Sequence, residues 1–187
     1  MKKDFEFICD LMIDFVKQAH IQNTFIVIDK QCITGWETWF QVEFATFLSK
    51  HIDVGSWERE QPYQVDGRKK MDKNNAIVDF KVRKKRTKID RMITLEFKQN
   101  SSRGSCITNM IYDLQKIEAI KSSSSQDMRS YWAIGVHPRH DTCHASADKE
   151  HIKNDILKKS KKFSFGLIEE CIVTRYIPNT NLAYTIF

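Results

Sequence analysis

Residues 75–99 read NAIVDFKVRKKRTKIDRMITLEFKQ. In the first part of this stretch Ala76, Val78, Phe80 and Val82 alternate with Ile77, Asp79, Lys81 and Arg83; in the last, Ile93, Leu95 and Phe97 alternate with Thr94, Glu96 and Lys98. A period of two is the signature of a half-buried strand. Because successive side chains leave a strand on opposite faces, Glu96 and Lys98 share one face and the apolar residues take the other. If the two strands pair as a hairpin, Asp79 lies beside Glu96 and Lys98. Two carboxylates and an ammonium then form one polar site. Hard oxygen ligands of this kind suit Mg²⁺, with Mn²⁺ able to substitute, and point to phosphoryl chemistry.

Working outward, a further strand is expected at about Glu58–Val65, ending at the turn dipeptide Asp66-Gly67. Phe5, Ile8, Leu11, Met12, Phe15, Val16 and Ala19 recur at helical spacing and predict an amphipathic helix over residues 4–20. A second helix, about 35–50, opens with Thr34-x-x-Glu37, the pattern of a capping box. A third, about Ile107–Lys121, carries Met110, Ile111, Leu114, Ile117 and Ile120 along one side, and Ser122–Ser125 reads as a loop. Tyr131–Val136 is a largely apolar strand, followed by a weaker helix at about 147–160 and late strands within Phe163–Tyr176 and Leu182–Phe187. The order helix, three strands, helix, strand, with additions at both ends, predicts an α/β fold around a mixed sheet, with residues 1–187 forming a single domain.

Charge is unevenly placed. The whole chain has a formal net charge of +6. Residues 81–91 alone carry Lys81, Arg83, Lys84, Lys85, Arg86, Lys88 and Arg91 against the single Asp90, which is also a net +6. The rest of the chain is formally neutral. Such a concentration suits a polyanionic partner, nucleic acid first, and equally suits a solvated hairpin tip. The five cysteines are odd in number, scattered, and contain no Cys-x-x-Cys pair, which fits reduced thiols. Apolar runs are far shorter than the roughly 20 residues of a membrane span, and Asp10 and Asp14 interrupt the stretch a signal peptide would need. The expected location is intracellular, cytoplasmic or nucleoid-associated.

Glu43 is out of place on its helix. At 100° per residue it falls within the arc formed by Trp36, Trp39, Phe40, Phe44 and Phe47. A carboxylate in an apolar stripe needs a cationic partner or reaches solvent. Taken together, the helix bearing Glu43, then Ile77-Val78-Asp79-Phe80, then Leu95-Glu96-Phe97-Lys98, then the helix containing Ile111-Tyr112-Asp113-Leu114-Gln115-Lys116-Ile117, resemble the PD-(D/E)xK nuclease superfamily over about residues 34–137. Val78 stands where the superfamily's name has proline. The resemblance implies a restriction-endonuclease-like αβββαβ core, here with an extra N-terminal helix and a C-terminal extension. It implies that Asp79 and Glu96 coordinate Mg²⁺, that Lys98 orients or activates the attacking water, and that Glu43 supports the metal site.

The function expected on these grounds is a Mg²⁺-dependent nuclease, most simply a DNA endonuclease acting as a homodimer with one site per strand. The alternative is a nuclease-fold protein that binds nucleic acid without turnover. Lys81, Arg83, Lys84, Lys85, Arg86, Lys88, Arg91, Gln99 and Arg103 are the expected nucleic-acid contacts. His137, His140, Cys143 and His144, with His151 beyond them, are zinc-ligand types in a spacing that matches no familiar finger.

Overall fold

The alternating stretches form strands β1 (Val54–Gln64), β2 (Asn75–Lys84) and β3 (Met92–Gln99), and the later apolar ones β4 (Met128–Pro138), β5 (Val173–Tyr176) and β6 (Leu182–Ile186). The helices are α1 (Lys2–Val16), α2 (Ala19–Lys30), α3 (Glu37–Lys50), α4 (Arg103–Ser123) and α5 (Ala145–Lys162). This computed structural model describes residues 1–64, 75–123, 128–139 and 145–187; the Asp66-Gly67 turn, Ser124, Ser125, His140, Cys143 and His144 lie outside them. One six-stranded sheet has the order β1-β2-β3-β4-β6-β5. Only β3 and β4 pair in parallel, which their connection through α4 requires. The other four pairings are antiparallel. The result is a mixed α/β architecture. Among the described residues no helix is long and apolar enough to cross a membrane.

Several elements differ from the sequence reading. The helix expected over 4–20 ends at Val16, where Gln18 turns extended at ψ 129° and a separate α2 begins. After buried Val16 no residue is buried until Ile21, which breaks the stripe, and α2 starts its own with Ile21, Phe25 and Ile28. The Thr34 capping box does not form, because the N-cap of α3 is Trp36 and makes no side-chain cap hydrogen bond. Of Phe163–Tyr176 only Val173–Tyr176 is strand; a short 3₁₀ turn at Glu169–Cys171 precedes it.

Helices α1, α2 and α3 cover one face of the sheet and α4 with α5 the other, so two apolar cores flank it. In the first core Phe40 and Phe44 of α3 meet Phe97 of β3 edge-on at 4.9 and 5.0 Å, and Phe44 meets Phe80 of β2 at 5.5 Å. These ring contacts lock the phase of β3. With Phe97 and Leu95 committed to the α3 side, alternation turns Glu96 and Lys98 toward α4.

Strand β2 does not keep one phase. Phe80 and Val82 enter the first core, but Val78 enters the second, beside α4. The expectation that Val78, Phe80 and Val82 share a face is therefore corrected. The ladder between β2 and β3 stops after three pairs, Val82↔Ile93, Lys81↔Thr94 and Phe80↔Leu95. Beyond Phe80, β2 leaves β3 and turns about its axis at Asp79.

Packing of β4 against α4 is close. A Cβ built on Gly135 would stand 2.2 Å from Met110 Sδ and 2.9 Å from Cys106 Sγ, both fully buried. Gly135→Ala is expected to destabilise the protein by about 1–3 kcal/mol through overpacking. Each kcal/mol lowers Tm by about 2–4 °C in a chain of this size, so a thermal melt indistinguishable from the parent's would contradict this packing.

Candidate active site

The turn in β2 creates the site. Continued pairing would set Val78 opposite Phe97; instead the Asp79 side chain occupies the gap, and its Oδ2 accepts the Phe97 N–H at 2.7 Å. A backbone donor must find a partner, and here a carboxylate supplies it. Asp79 is thereby held next to the two β3 residues that face α4. Glu96 is 3% exposed, and the Lys98 side chain 25%.

Helix α4 contributes a complementary pair one turn apart, Asp113 and Lys116. Lys98 Nζ lies 3.1 Å from Asp113 Oδ2. Lys116 Nζ stands 3.7 Å from Glu96 Oε1 and donates to the Ile77 carbonyl at 2.9 Å, in the stretch of β2 that has left β3. The sixth charged group is Glu37, in the first turn of α3, whose Oε2 accepts the Gln99 N–H at 3.1 Å. Asp113, Lys116 and Glu37 were not assigned to the site from sequence. The i, i+3 spacing of the first two on the helix after β3 was visible, but their partners on β3 were not.

The electrostatics are unbalanced in one direction. Burial, reinforced by Asp79 and only partly offset by Lys116 and Lys98, pushes Glu96 up to about 9. Glu37 is also raised, chiefly by burial and further by Asp79 and Asp113, against the opposing effect of Lys98 and the Gln99 N–H. Burial alone would lower Lys98, but the Asp113, Glu37 and Asp79 carboxylates outweigh it and leave the ammonium more strongly protonated than usual. Glu96 therefore holds a proton at neutral pH unless additional positive charge arrives. Its Oε1 is buried and receives no hydrogen bond, since Lys116 is beyond bonding distance.

Glu43 is not among these groups. Its carboxylate lies 3.4 Å from His20 Nε2 of α2, with 30% of its side chain exposed. The apolar arc of α3 is divided: Phe40, Phe44 and Leu48 are buried, while Trp36, Trp39 and Phe47 are only partly buried. Glu43 falls on the rim next to α2. The acid that α3 does send to the site is Glu37.

The basic segment also sits elsewhere. Lys84, Lys85, Arg86, Lys88 and Arg91 are exposed around the β2–β3 turn, at the end of β3 opposite Lys98. Six residues at about 3.3 Å each separate Met92 from Lys98, so the two ends are about 20 Å apart. Lys81 is buried, and Arg83 is committed to Ser56 Oγ and the Thr87 carbonyl at 3.0 and 3.1 Å. Arg103 braces the start of α4 against α5 through Asp155 at 3.3 Å and Asp148 at 3.8 Å. His137 is fully buried between the Pro138 carbonyl and Thr185 Oγ1, at 2.9 and 2.8 Å, and burial lowers its pKa. It is a packed core histidine.

Compared with known proteins, the chain matches no family model, no curated protein and no solved structure. The site must be read from its own chemistry. Among the described residues no group of three or more His, Cys, Asp or Glu side chains is gathered for a metal. Asp79 and Glu96 make a set of two. That number fits Mg²⁺, which keeps several waters and typically takes one or two protein carboxylates, and the buried Glu96 Oε1, which accepts no hydrogen bond, is the acceptor such a cation would satisfy.

The raised Glu96 has a direct consequence for stability. The native state binds a proton that the unfolded chain releases above about pH 4.5, so stability falls as pH rises from there toward 9. Glu96→Gln, which removes the titration and keeps the shape, is expected to melt several degrees above the parent at pH 8 in metal-free buffer, with the gap closing as the pH approaches 4.5. Melts of the two proteins across that range check it, and a gap independent of pH would show that Glu96 does not carry this burden.

Proposed function

We propose that the protein is a Mg²⁺-dependent nuclease, built on a restriction-endonuclease-like core made of α3, β1, β2, β3, α4 and β4 and acting most simply on DNA. The observation that carries this reading is the hydrogen bond from the Phe97 N–H to Asp79, which gathers Asp79, Glu96 and Lys98 where β2 leaves β3. Asp79 and Glu96 are the residues that would hold Mg²⁺ or Mn²⁺. When bound, the ion would acidify a water and offset charge on the phosphate.

The chain's own groups do the rest. Lys98 brings a fixed positive charge to the place where the phosphate gains negative charge, and Asp113 at 3.1 Å orients its ammonium. The Glu37 carboxylate, bonded to the next residue's N–H, strengthens the protonation of Lys98 further. Lys98 is thus an electrostatic and hydrogen-bonding group for the water and phosphate, not a base that gives up its proton. A duplex running parallel to β3 over the surface would span about six base pairs, each rising about 3.4 Å along the axis, between Lys98 and the exposed basic turn. The turn then supplies sequence-independent affinity while the acids and Lys98 carry out the hydrolysis. Cutting both strands of a duplex is most easily achieved by two copies, one site per strand.

One observation favours the non-catalytic alternative. Lys116 Nζ already places a positive charge 3.7 Å from Glu96. An internal ammonium in this position would replace the cation and leave a nucleic-acid-binding module. Incubating labelled DNA with the protein, with and without Mg²⁺, separates the two readings: Mg²⁺-dependent cleavage supports the nuclease, and binding without cleavage in any divalent metal supports the alternative.

Lys98→Ala is expected to reduce cleavage by at least about 10²–10³-fold while leaving DNA affinity nearly unchanged, because one half-buried lysine adds little to the total electrostatic footprint. Asp79→Asn should lose Mg²⁺-dependent activity as well. Parent-like turnover by the Lys98 variant would remove it from the reaction.

Replacing Lys85, Lys88 and Arg91 together by Ser removes three exposed charges from the turn. If each contacts phosphate, the slope of log affinity against log salt on duplex DNA should flatten by about 2.7, roughly 0.9 per contact, irrespective of sequence. An unchanged slope in a salt titration would reduce the turn to a solvated tip.

A further inference from the structure

Between the α2–α3 connection and the C-terminal ends of β3 and β4 lies a cavity of about 260 Å³. Its walls include Asp29, Ile33, Trp36, Gln99, Asn100 and Pro138. It adjoins the candidate active site along the chain itself, since Trp36 precedes Glu37 and Gln99 follows Lys98. The hydrogen bond from the Gln99 N–H to Glu37 ties these two walls together.

The lining is specific in character. Trp36 is held edge-on to Phe25 at 5.5 Å and against Trp39 at 6.1 Å, so it is a fixed aromatic wall. Ile33 forms an apolar lip that is 45% exposed, and Gly35, with φ +75°, lets the chain turn back between Ile33 and Trp36. On the polar side Asn100 Oδ1 accepts the Ser102 N–H at 2.8 Å, which leaves the Asn100 amide nitrogen to donate. Asp29, already accepting the Asn181 N–H at 2.8 Å, adds a negative charge. A carboxylate in the wall disfavours a phosphate as occupant. The volume is below the roughly 300–1,000 Å³ of sites that enclose a whole drug-sized ligand, and it suits one ring system.

We infer that this cavity receives a single unpaired nucleobase of the strand whose phosphate lies at Lys98, so that the protein engages unpaired nucleic acid in preference to closed duplex. This rests on the nuclease reading above. Stacking on an aromatic wall is sequence-tolerant because every base has a π-face. Drawing a paired base out of a duplex has its own cost, so the full gain is realised only on a base that is already free.

The test uses the full chain in metal-free buffer containing chelator, where no turnover occurs, and follows anisotropy of a short labelled oligothymidylate and of the same strand with abasic residues. The intact strand is expected to bind between about fivefold and about a hundredfold more tightly. Ile33→Asn, at a position already exposed to water, should remove most of that difference and leave abasic affinity unchanged; Asn100→Ala should reduce it. Equal affinity for intact and abasic strands, or no binding to either, overturns the inference. Cleavage in Mg²⁺ is read separately. Cleavage without any base preference in binding removes the pocket and keeps the nuclease, whereas base-dependent binding without cleavage keeps the pocket and removes the nuclease.

Discussion

The hydrogen bond from the Phe97 N–H to the Asp79 carboxylate, at 2.7 Å, is the constraint on which the site depends. A backbone donor on a central strand has to be satisfied, and when β2 departs from β3 after Phe80 the usual ladder partner is gone. Asp79 fills the vacancy with a charged acceptor. The departure also frees the β2 backbone for Lys116, which reaches the Ile77 carbonyl, and lets Val78 join the core under α4. One local break in pairing thus brings β2, β3 and α4 to a common point and leaves an acid, a second acid and a lysine facing each other. An uninterrupted ladder would have sent Val78 to the α3 side and filled the gap with backbone.

The rest of the molecule holds this arrangement in place. Phe97 sits in the aromatic core with Phe40 and Phe44, so β3 cannot rotate to release Glu96 or Lys98 toward solvent. Burial then sets the protonation of Glu96, and α4 moderates it through Lys116. The site accumulates more negative potential than its two lysines offset at close range. That imbalance couples folding and charge: the same carboxylate that weakens the protein at alkaline pH would stabilise it if a cation bound there.

Much of this was legible in residues 75–99. Period-two alternation placed Glu96 and Lys98 together, because it depends only on strand geometry and the apolar content of Ile93, Leu95 and Phe97. The order of elements from α3 to β4 was legible for the same reason. What failed had a common physical cause. Choosing Glu43 from the arc of α3 assumed one apolar partner for that helix, but α3 packs on both the sheet and α2, and α2 was itself hidden because its stripe of Ile21, Phe25 and Ile28 is out of phase with that of α1. Glu37 was assigned to a local cap, since a capping pattern is a statement about neighbours in sequence, whereas its partner Gln99 is 62 residues away. The rotation of β2 at Asp79 broke the alternation that had served as its evidence. Charge counting found the basic turn correctly, yet composition has no direction, and it could not show that the turn lies at the other end of β3 from Lys98.

Strand β1 has a consequence of another kind. It is an edge strand of 11 residues, with β2 on one side only, and such an edge is a template onto which a second chain can add. Two features spoil it. Glu60 adopts φ +54°, which kinks the extended backbone, and Pro62 offers no N–H for a further ladder. Exposed Glu58 and Glu60 add like charge along the same margin. The margin of the sheet is therefore protected against open-ended strand addition. A two-fold assembly of this chain would have to be built away from this edge, where association can close on itself instead of propagating.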